Sequence, residues 1–153
     1  MLKIMKDRWN ENSEKLRATL LERTDLNSCC YEDLVKITFE IIFNSRAEGY
    51  GNKLNLDNIH AIDDGAYQGT ILFVIPFDTY QPDEDEYIIT YIGYGSCSYC
   101  DTLQSIQGWN DGKITEEQLA GFMAICKDLI CNAVKPYNYG WRKNPEYVQV
   151  GEE

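Results

Sequence analysis

The residues best suited to chemistry are concentrated in one short stretch, Gly93-Tyr94-Gly95-Ser96-Cys97-Ser98-Tyr99-Cys100-Asp101. The β-branched and aromatic residues at 87–92 predict a strand before it, and Asp101 with Gln104 three residues later predicts a capped helix after it. Thiols at a helix N-terminus become more acidic, and the free N–H groups there attract anions. We therefore predict a strand–turn–helix site with these candidate ligand-binding residues: Gly93, Tyr94, Gly95, Ser96, Cys97, Ser98, Cys100 and Asp101.

Three kinds of chemistry fit this stretch, and the sequence leaves them open. The Cys97-x-x-Cys100 spacing can bind zinc, but a structural site needs four ligands, and the sequence has no second pair with this spacing. A dithiol redox site is the second alternative. A small anionic or nucleotide-like ligand at Gly93-x-Gly95-x-x-Ser98 is the third. The structural alternative is a tight turn of small residues, so we assign no catalytic residue and no cofactor, with Cys97 and Cys100 as metal ligands if zinc binds.

Negative charge is concentrated in the middle of the chain. The formal net charge is −11, and residues 51–101 contain nine acidic residues against one basic residue. A field of this sign repels the phosphates of DNA and RNA and attracts basic surfaces. We therefore expect a partner protein with a basic surface and no direct nucleic-acid binding. The candidate partner-binding residues are Asp63, Asp64, Tyr67, Asp83, Glu84, Asp85 and Glu86.

The composition is typical of a globular protein, with 44% hydrophobic and 25% charged residues in a chain of 153. The apolar residues near the start are interrupted by charged ones, whereas a secretory signal contains an uninterrupted apolar region. No apolar run is long enough to span a bilayer. We expect one cytoplasmic domain over residues 1–153, no membrane association, and cysteines that remain reduced.

The order of predicted elements is α-α-β-β-β-α-α, with a further strand over 146–150 as an optional last element. Helical spacing of apolar residues covers 2–22 and the segment between Ser28, as its cap, and Gly49. The capping box Thr115–Gln118 starts the last helix. The fold class is therefore predicted to be α+β, an antiparallel meander of three to four strands packed with about four helices.

The strand predictions include a specific register. Asp64-Gly65 is typical of a two-residue hairpin turn, which would place Ile62 opposite Tyr67 and His60 opposite Gly69. The apolar run 71–75 lacks alternation, which predicts a central strand covered on both faces.

The segment Tyr94–Asp101, preceded by a Tyr- and Ile-rich strand and followed by Thr102-Leu103-Gln104, resembles a signature of uncharacterised small proteins of bacteriophages and related mobile elements. The resemblance covers about residues 66–107. It implies a setting inside a bacterial host, where small, acidic, tyrosine-rich proteins bind and block host factors, and it assigns no catalytic residue. Our first hypothesis is accordingly a non-enzymatic protein that inhibits or sequesters a host factor. The six acidic residues among the partner-binding candidates should then fall on one exposed face together with tyrosines, and if they scatter over the surface, mimicry of nucleic acid loses its basis.

Overall fold

The computed structural model describes residues 3–96 and 101–135 and has an α+β architecture. The predicted order α-α-β-β-β-α-α is confirmed. The helices are α1 (Lys3–Glu22), α2 (Tyr31–Ile42), α3 (Thr102–Ile106) and α4 (Glu116–Cys131), and the strands are β1 (His60–Asp63), β2 (Gly69–Pro76) and β3 (Tyr87–Tyr94). The strands form an antiparallel sheet in the order β1-β2-β3. The strand predicted at 146–150 lies outside the described residues.

The sheet buries one face and leaves the other partly open. In β3, Ile88, Thr90 and Ile92 are buried and alternate with more exposed residues, as expected for a strand with a single covered face. Their partners across the register are Ile75, Phe73 and Ile71 of β2. The prediction that β2 is central is confirmed, but coverage on both faces was wrong, because Leu72 and Val74 remain partly exposed on the outer side.

The helices form a layer against the inner face of the sheet. Met5, Leu16 and Leu20 of α1 are fully buried, and α4 contributes Phe122 and Leu129 among its core residues. Thr90 donates a hydrogen bond from Oγ1 to the Leu129 carbonyl at 2.6 Å, which ties β3 to α4. A single continuous core therefore joins α1, α2, α4 and the sheet.

Two helix starts illustrate local sequence signals that succeeded and failed. The capping box at Thr115 and Gln118 is present at the start of α4, as predicted. Ser28 does not cap α2, because residues 26–28 form a 3₁₀ turn and Cys30 occupies the N-cap position instead. The Cys30 main-chain N–H donates to Asp33 Oδ2 at 3.0 Å. Helix α2 also ends at Ile42, before Gly49.

The predicted register between β1 and β2 was wrong. Ile62 pairs with Leu72 and His60 with Val74, so the connection is longer than two residues. The Asp63 carboxylate accepts a hydrogen bond from Gly65 N at 3.0 Å, and the Asp64 carboxylate accepts one from Thr70 N at 2.6 Å. These side-chain bonds stabilise a wider loop than the two-residue Asp-Gly turn.

Candidate functional site

A cavity of about 600 Å³ lies where the start of α2 meets the inner face of the sheet and the start of α3. Helix α2 contributes Tyr31 and Glu32, and the sheet end contributes Asp63, Ile71 and Tyr94. We call it the acidic cavity, after the carboxyl groups of Glu32, Asp63 and Asp101. Its described lining is Cys29, Cys30, Tyr31, Glu32, Ala61, Asp63, Ala66, Tyr67, Ile71, Phe73, Tyr94, Gly95, Ser96, Asp101, Leu103, Gln104 and Gln107.

Asp101 organises the inner wall of this cavity. Its carboxylate accepts hydrogen bonds from Tyr31 Oη at 3.0 Å, Gln104 N at 2.9 Å and Gly95 N at 3.1 Å, and the residue is only 3% exposed. The predicted cap is thus confirmed, since Asp101 occupies the N-cap of α3. One buried carboxylate therefore holds both Gly95 and the first turn of α3.

Tyr31 joins the two helix starts. It donates to Asp101 and accepts a hydrogen bond from Leu103 N at 3.1 Å. Burial is the main cause that raises the pKa of Tyr31 to about 12, with the Asp101 carboxylate adding to it. The phenol is therefore neutral at physiological pH and acts as a hydrogen-bonding link between α2 and α3.

The outer rim of the cavity contains an exposed carboxylate held by a tyrosine. Tyr94 Oη donates to Asp63 Oδ1. This hydrogen bond, followed by that from Gly65 N, lowers the pKa of Asp63, and the same contact raises the pKa of Tyr94 to about 12. Asp63 is therefore ionised and Tyr94 protonated at neutral pH, so the rim presents a fixed negative charge beside an aromatic ring.

The described thiols at the cavity differ from each other. Cys29 is buried, and desolvation raises the pKa of its thiol to about 12, which keeps it protonated and a poor nucleophile. Cys30, in contrast, is exposed at the N-cap of α2. Cys97, Ser98 and Cys100 lie outside the described residues, so the zinc and redox alternatives for them stay predictions.

The acidic cavity has the wrong charge for an anion. Among its described lining residues there are three carboxyl groups and no Lys, Arg or His. The main-chain N–H of Gly95, which the phosphate-binding alternative needs, already donates to Asp101. A methyl group added at Gly93 would meet nothing nearer than the Gly69 carbonyl at 3.8 Å, so that glycine is not required for a close approach. The geometry favours a cationic group over a phosphate.

The structure brings together two groups of candidates that the sequence kept apart. Asp63 and Tyr67 come from the partner-binding group, and Tyr94, Gly95, Ser96 and Asp101 come from the ligand-binding group, yet all six line the acidic cavity. Asp64 adjoins Asp63 at the end of β1. Gly93 lies in β3 on the outer face of the sheet, opposite Thr70.

The remaining acidic candidates lie elsewhere. Asp83, Glu84, Asp85 and Glu86 precede β3 at the opposite end of the sheet from Asp63 and Asp64. The eight residues of β2 separate the two groups, which corresponds to about 23 Å at 3.3 Å per residue. The structure therefore does not collect all six acids into one cluster, and mimicry of nucleic acid loses its basis.

Several cavity residues were missed by the sequence predictions. Tyr31, Glu32, Leu103 and Gln107 line the cavity, and Gln107 donates from Nε2 to the Cys29 carbonyl at 2.8 Å. Tyr31 and Asp101 are 70 residues apart in sequence, and no local pattern indicates their contact. The only local signal was the acidic first turn of α2, which points to a helix start and not to a cavity.

One group of carboxylates lies close enough together to offer ligands to a metal ion. Within 3–96 and 101–135, the one group of three or more potential ligands is Asp83, Asp85 and Glu86, whose ligand atoms lie within 4.8 Å of one another. The described cysteines and His60 form no such group. Exposed carboxylates commonly lie this close in acidic loops, and the spacing matches no EF-hand.

Comparisons with family models, curated proteins and solved structures find no match to this chain. The resemblance to bacteriophage proteins therefore stays a prediction. No helix in the described part of the chain is long and apolar enough to cross a membrane.

Proposed function

We propose that this chain is a small, acidic binding protein, of bacteriophage or mobile-element type, that inhibits or sequesters a host factor by receiving a basic side chain in the acidic cavity. The observation that carries the proposal is the lining, which combines three carboxyl groups with three tyrosines and has no basic residue among its described members. A lysine or an arginine of a partner protein has the complementary charge and length.

The chemistry of the cavity suits such a group. Asp63 supplies a charge at the rim, where its lowered pKa keeps it ionised at neutral pH. Tyrosine rings bind cations through their faces, and Tyr67 is 81% exposed beside the rim. The apolar wall, which includes Ile71 and Phe73, accommodates the aliphatic stem of a lysine or arginine. The cavity volume lies within the usual 300–1,000 Å³ of ligand sites.

The long-range field supports the same partner. A net charge of −11 accelerates encounter with a basic surface and discourages nucleic acid. Thiol chemistry has less support in the described cavity, because the raised pKa of Cys29 disfavours its thiolate.

Two double variants with equal charge change test the proposal. Glu32→Gln/Asp63→Asn alters the cavity, and Asp83→Asn/Glu84→Gln alters the acidic loop at the other end of the sheet, so each raises the net charge by two. The probe is a short arginine- and lysine-containing peptide, titrated by calorimetry at two salt concentrations. We expect the cavity variant to weaken binding about tenfold or more, because it removes charge-assisted contacts. The loop variant should change affinity by no more than the shared loss of charge.

Equal weakening by both variants would contradict a site in the cavity and would leave only non-specific attraction to an acidic protein. Affinity purification from a bacterial lysate, with the wild type and the two double variants as bait, then tests for a host factor. A specific partner should be retained by the wild type and the loop variant and lost by the cavity variant. If both variants keep it, that partner binds elsewhere.

A further inference from the structure

The two edges of the sheet differ in how their main-chain groups are paired. At the edge formed by β3, Val134 and Ile89 exchange two main-chain hydrogen bonds of 2.8 Å. Asn132 Nδ2 also donates to the Tyr91 carbonyl there, at 3.0 Å. At the other edge, all four residues of β1 are exposed. A strand edge with open N–H and C=O groups can pair with another extended chain, so β1 is the edge at which a partner can add.

The register identifies which groups of β1 point away from the sheet. Asp64 N donates to the Thr70 carbonyl at 3.2 Å, one step beyond the last pair of the β1–β2 register. Hydrogen-bonded pairs alternate along an antiparallel ladder. The N–H and C=O groups of Ile62 therefore face β2, whereas those of Ala61 and Asp63 face outward. Among the described residues, no main-chain hydrogen bond from another segment reaches these outward groups.

The side chains of the same two residues line the acidic cavity. Ala61 and Asp63 pair with Phe73 and Ile71 of β2, and all four belong to the cavity lining on the inner face of the sheet. A strand added beside β1 would lie about 4.8 Å from it, and every second side chain of that strand would point to the inner face. The open edge therefore borders the acidic cavity and can direct alternate side chains toward it.

The position between these two residues has different chemistry. Ile62 is 54% exposed and lies on the outer face, in one row with Leu72 and Tyr91. An apolar side chain of an added strand would extend this row, because cross-strand neighbours on one face contact each other. A strand that fits this edge therefore alternates basic residues toward the cavity with apolar residues beside Ile62.

We infer, resting on the proposed function, that the basic side chain reaches the acidic cavity from an extended segment of the partner protein that adds to β1 as a further strand. The carboxyl groups of Glu32 and Asp63 in the cavity lining have the charge complementary to such a segment. Main-chain hydrogen bonds to Ala61 and Asp63 hold the segment, and its alternating side chains provide specificity. A helix of the partner would not pair in this way, because its main-chain groups are already bonded within the helix.

Hydrogen exchange followed by NMR tests for the added strand. The probe is an eight-residue peptide in which lysine and valine alternate. In the free protein, the amides of Ala61 and Asp63 should exchange faster than that of Ile62, which is bonded to β2. Saturating peptide should slow exchange at Ala61 and Asp63 about tenfold or more and leave Ile62 nearly unchanged. Unchanged exchange at Ala61 and Asp63 in the saturated complex would overturn the inference.

Two N-methylated forms of the peptide test the pairing from the side of the ligand. One form is methylated at the lysine amides and the other at the valine amides, so their charge and composition are equal. In an antiparallel addition the lysine amides face β1, and in a parallel one the valine amides do. The form that loses these donors should bind about tenfold more weakly or worse in calorimetry, and its identity gives the orientation of the strand. Equal affinity of the two forms would exclude main-chain pairing.

The proposed function can be judged separately with the same peptide. If Glu32→Gln/Asp63→Asn weakens binding but the amides of Ala61 and Asp63 stay unprotected, the cavity receives the basic group and only the added strand is refuted. If the unmethylated peptide does not bind the wild type, both proposals fail.

Discussion

Asp101→Asn should destabilise the protein by about 2–3 kcal/mol. Both carboxylate oxygens are in use, because Oδ1 accepts from Tyr31 and Gln104 while Oδ2 accepts from Gly95. Asparagine replaces one oxygen with an NH₂ group, and in either orientation of the amide a main-chain N–H then faces a donor. Loss of a hydrogen bond to a charged acceptor, with its buried partner left unsatisfied, costs about 1.5–3 kcal/mol.

Urea unfolding followed by circular dichroism measures this change as a lower midpoint at constant slope. The expected fall in melting temperature is roughly 5–10 °C, at about 2–4 °C per kcal/mol for a protein of this size. Asp111→Asn is the matched control, since Asp111 is exposed in the loop between α3 and α4 and should change stability by less than about 0.5 kcal/mol. If Asp101→Asn were as stable as this control, the buried network at Asp101 would be refuted.

Tyr31→Phe tests the link between α2 and α3 within the same network. It removes the donor to Asp101 and leaves Leu103 N without its acceptor, which should cost about 1–2 kcal/mol. Because both substitutions disrupt one hydrogen bond, their effects should be less than additive when combined, by about 1 kcal/mol. Strict additivity would show that the two side chains do not depend on each other in solution.

Three further outcomes follow from other contacts. In Tyr94→Phe, the pKa of Asp63 should rise toward its ordinary value in an NMR titration, because the variant lacks the phenolic hydrogen bond that is the main cause of the lowered pKa. The lowered pKa stabilises the fold above about pH 4, and this contribution is lost at lower pH. An unchanged pKa of Asp63 in the variant would contradict this. Cys29 should react with iodoacetamide at pH 8 only after unfolding in urea, and rapid labelling of the native protein, located by mass spectrometry, would show that it is not buried. Gly121→Ala should destabilise the protein by about 1 kcal/mol in thermal unfolding, because the new methyl group would lie 2.7 Å from Ile106 Cγ2. In an Ile106→Ala background the same change should stabilise the protein, since alanine favours a helix over glycine. The same sign in both backgrounds would exclude this clash.

Local signals predicted most of the elements. The capping box of α4 satisfies main-chain donors within four residues, and the alternating burial of β3 needs only one covered face. Such features depend on neighbours in sequence and could therefore be predicted from it. The register of β1 was not, because the side chains of Asp63 and Asp64 bond to main-chain N–H groups in the following loop and compete with the shorter turn.

The acidic cavity could be predicted only in pieces. Gly95, Ser96 and Asp101 were chosen from the turn, and Asp63 from the charge pattern, but the two groups meet only because β1 and β3 both end beside the start of α2. Contacts such as Tyr31 to Asp101 depend on the packing of elements 70 residues apart. The charge pattern alone also grouped Asp83 with Asp63, although β2 holds them at opposite ends of the sheet.

The acidic cavity lies at the N-terminus of α2. The helix dipole favours acidic residues at this end, so Glu32 in the first turn stabilises α2 whether or not a ligand binds. A substitution at Glu32 therefore mixes stability with binding. Asp63 lies on β1, away from the helix end in sequence, so a change in binding caused by Asp63→Asn alone distinguishes recognition from helix stabilisation.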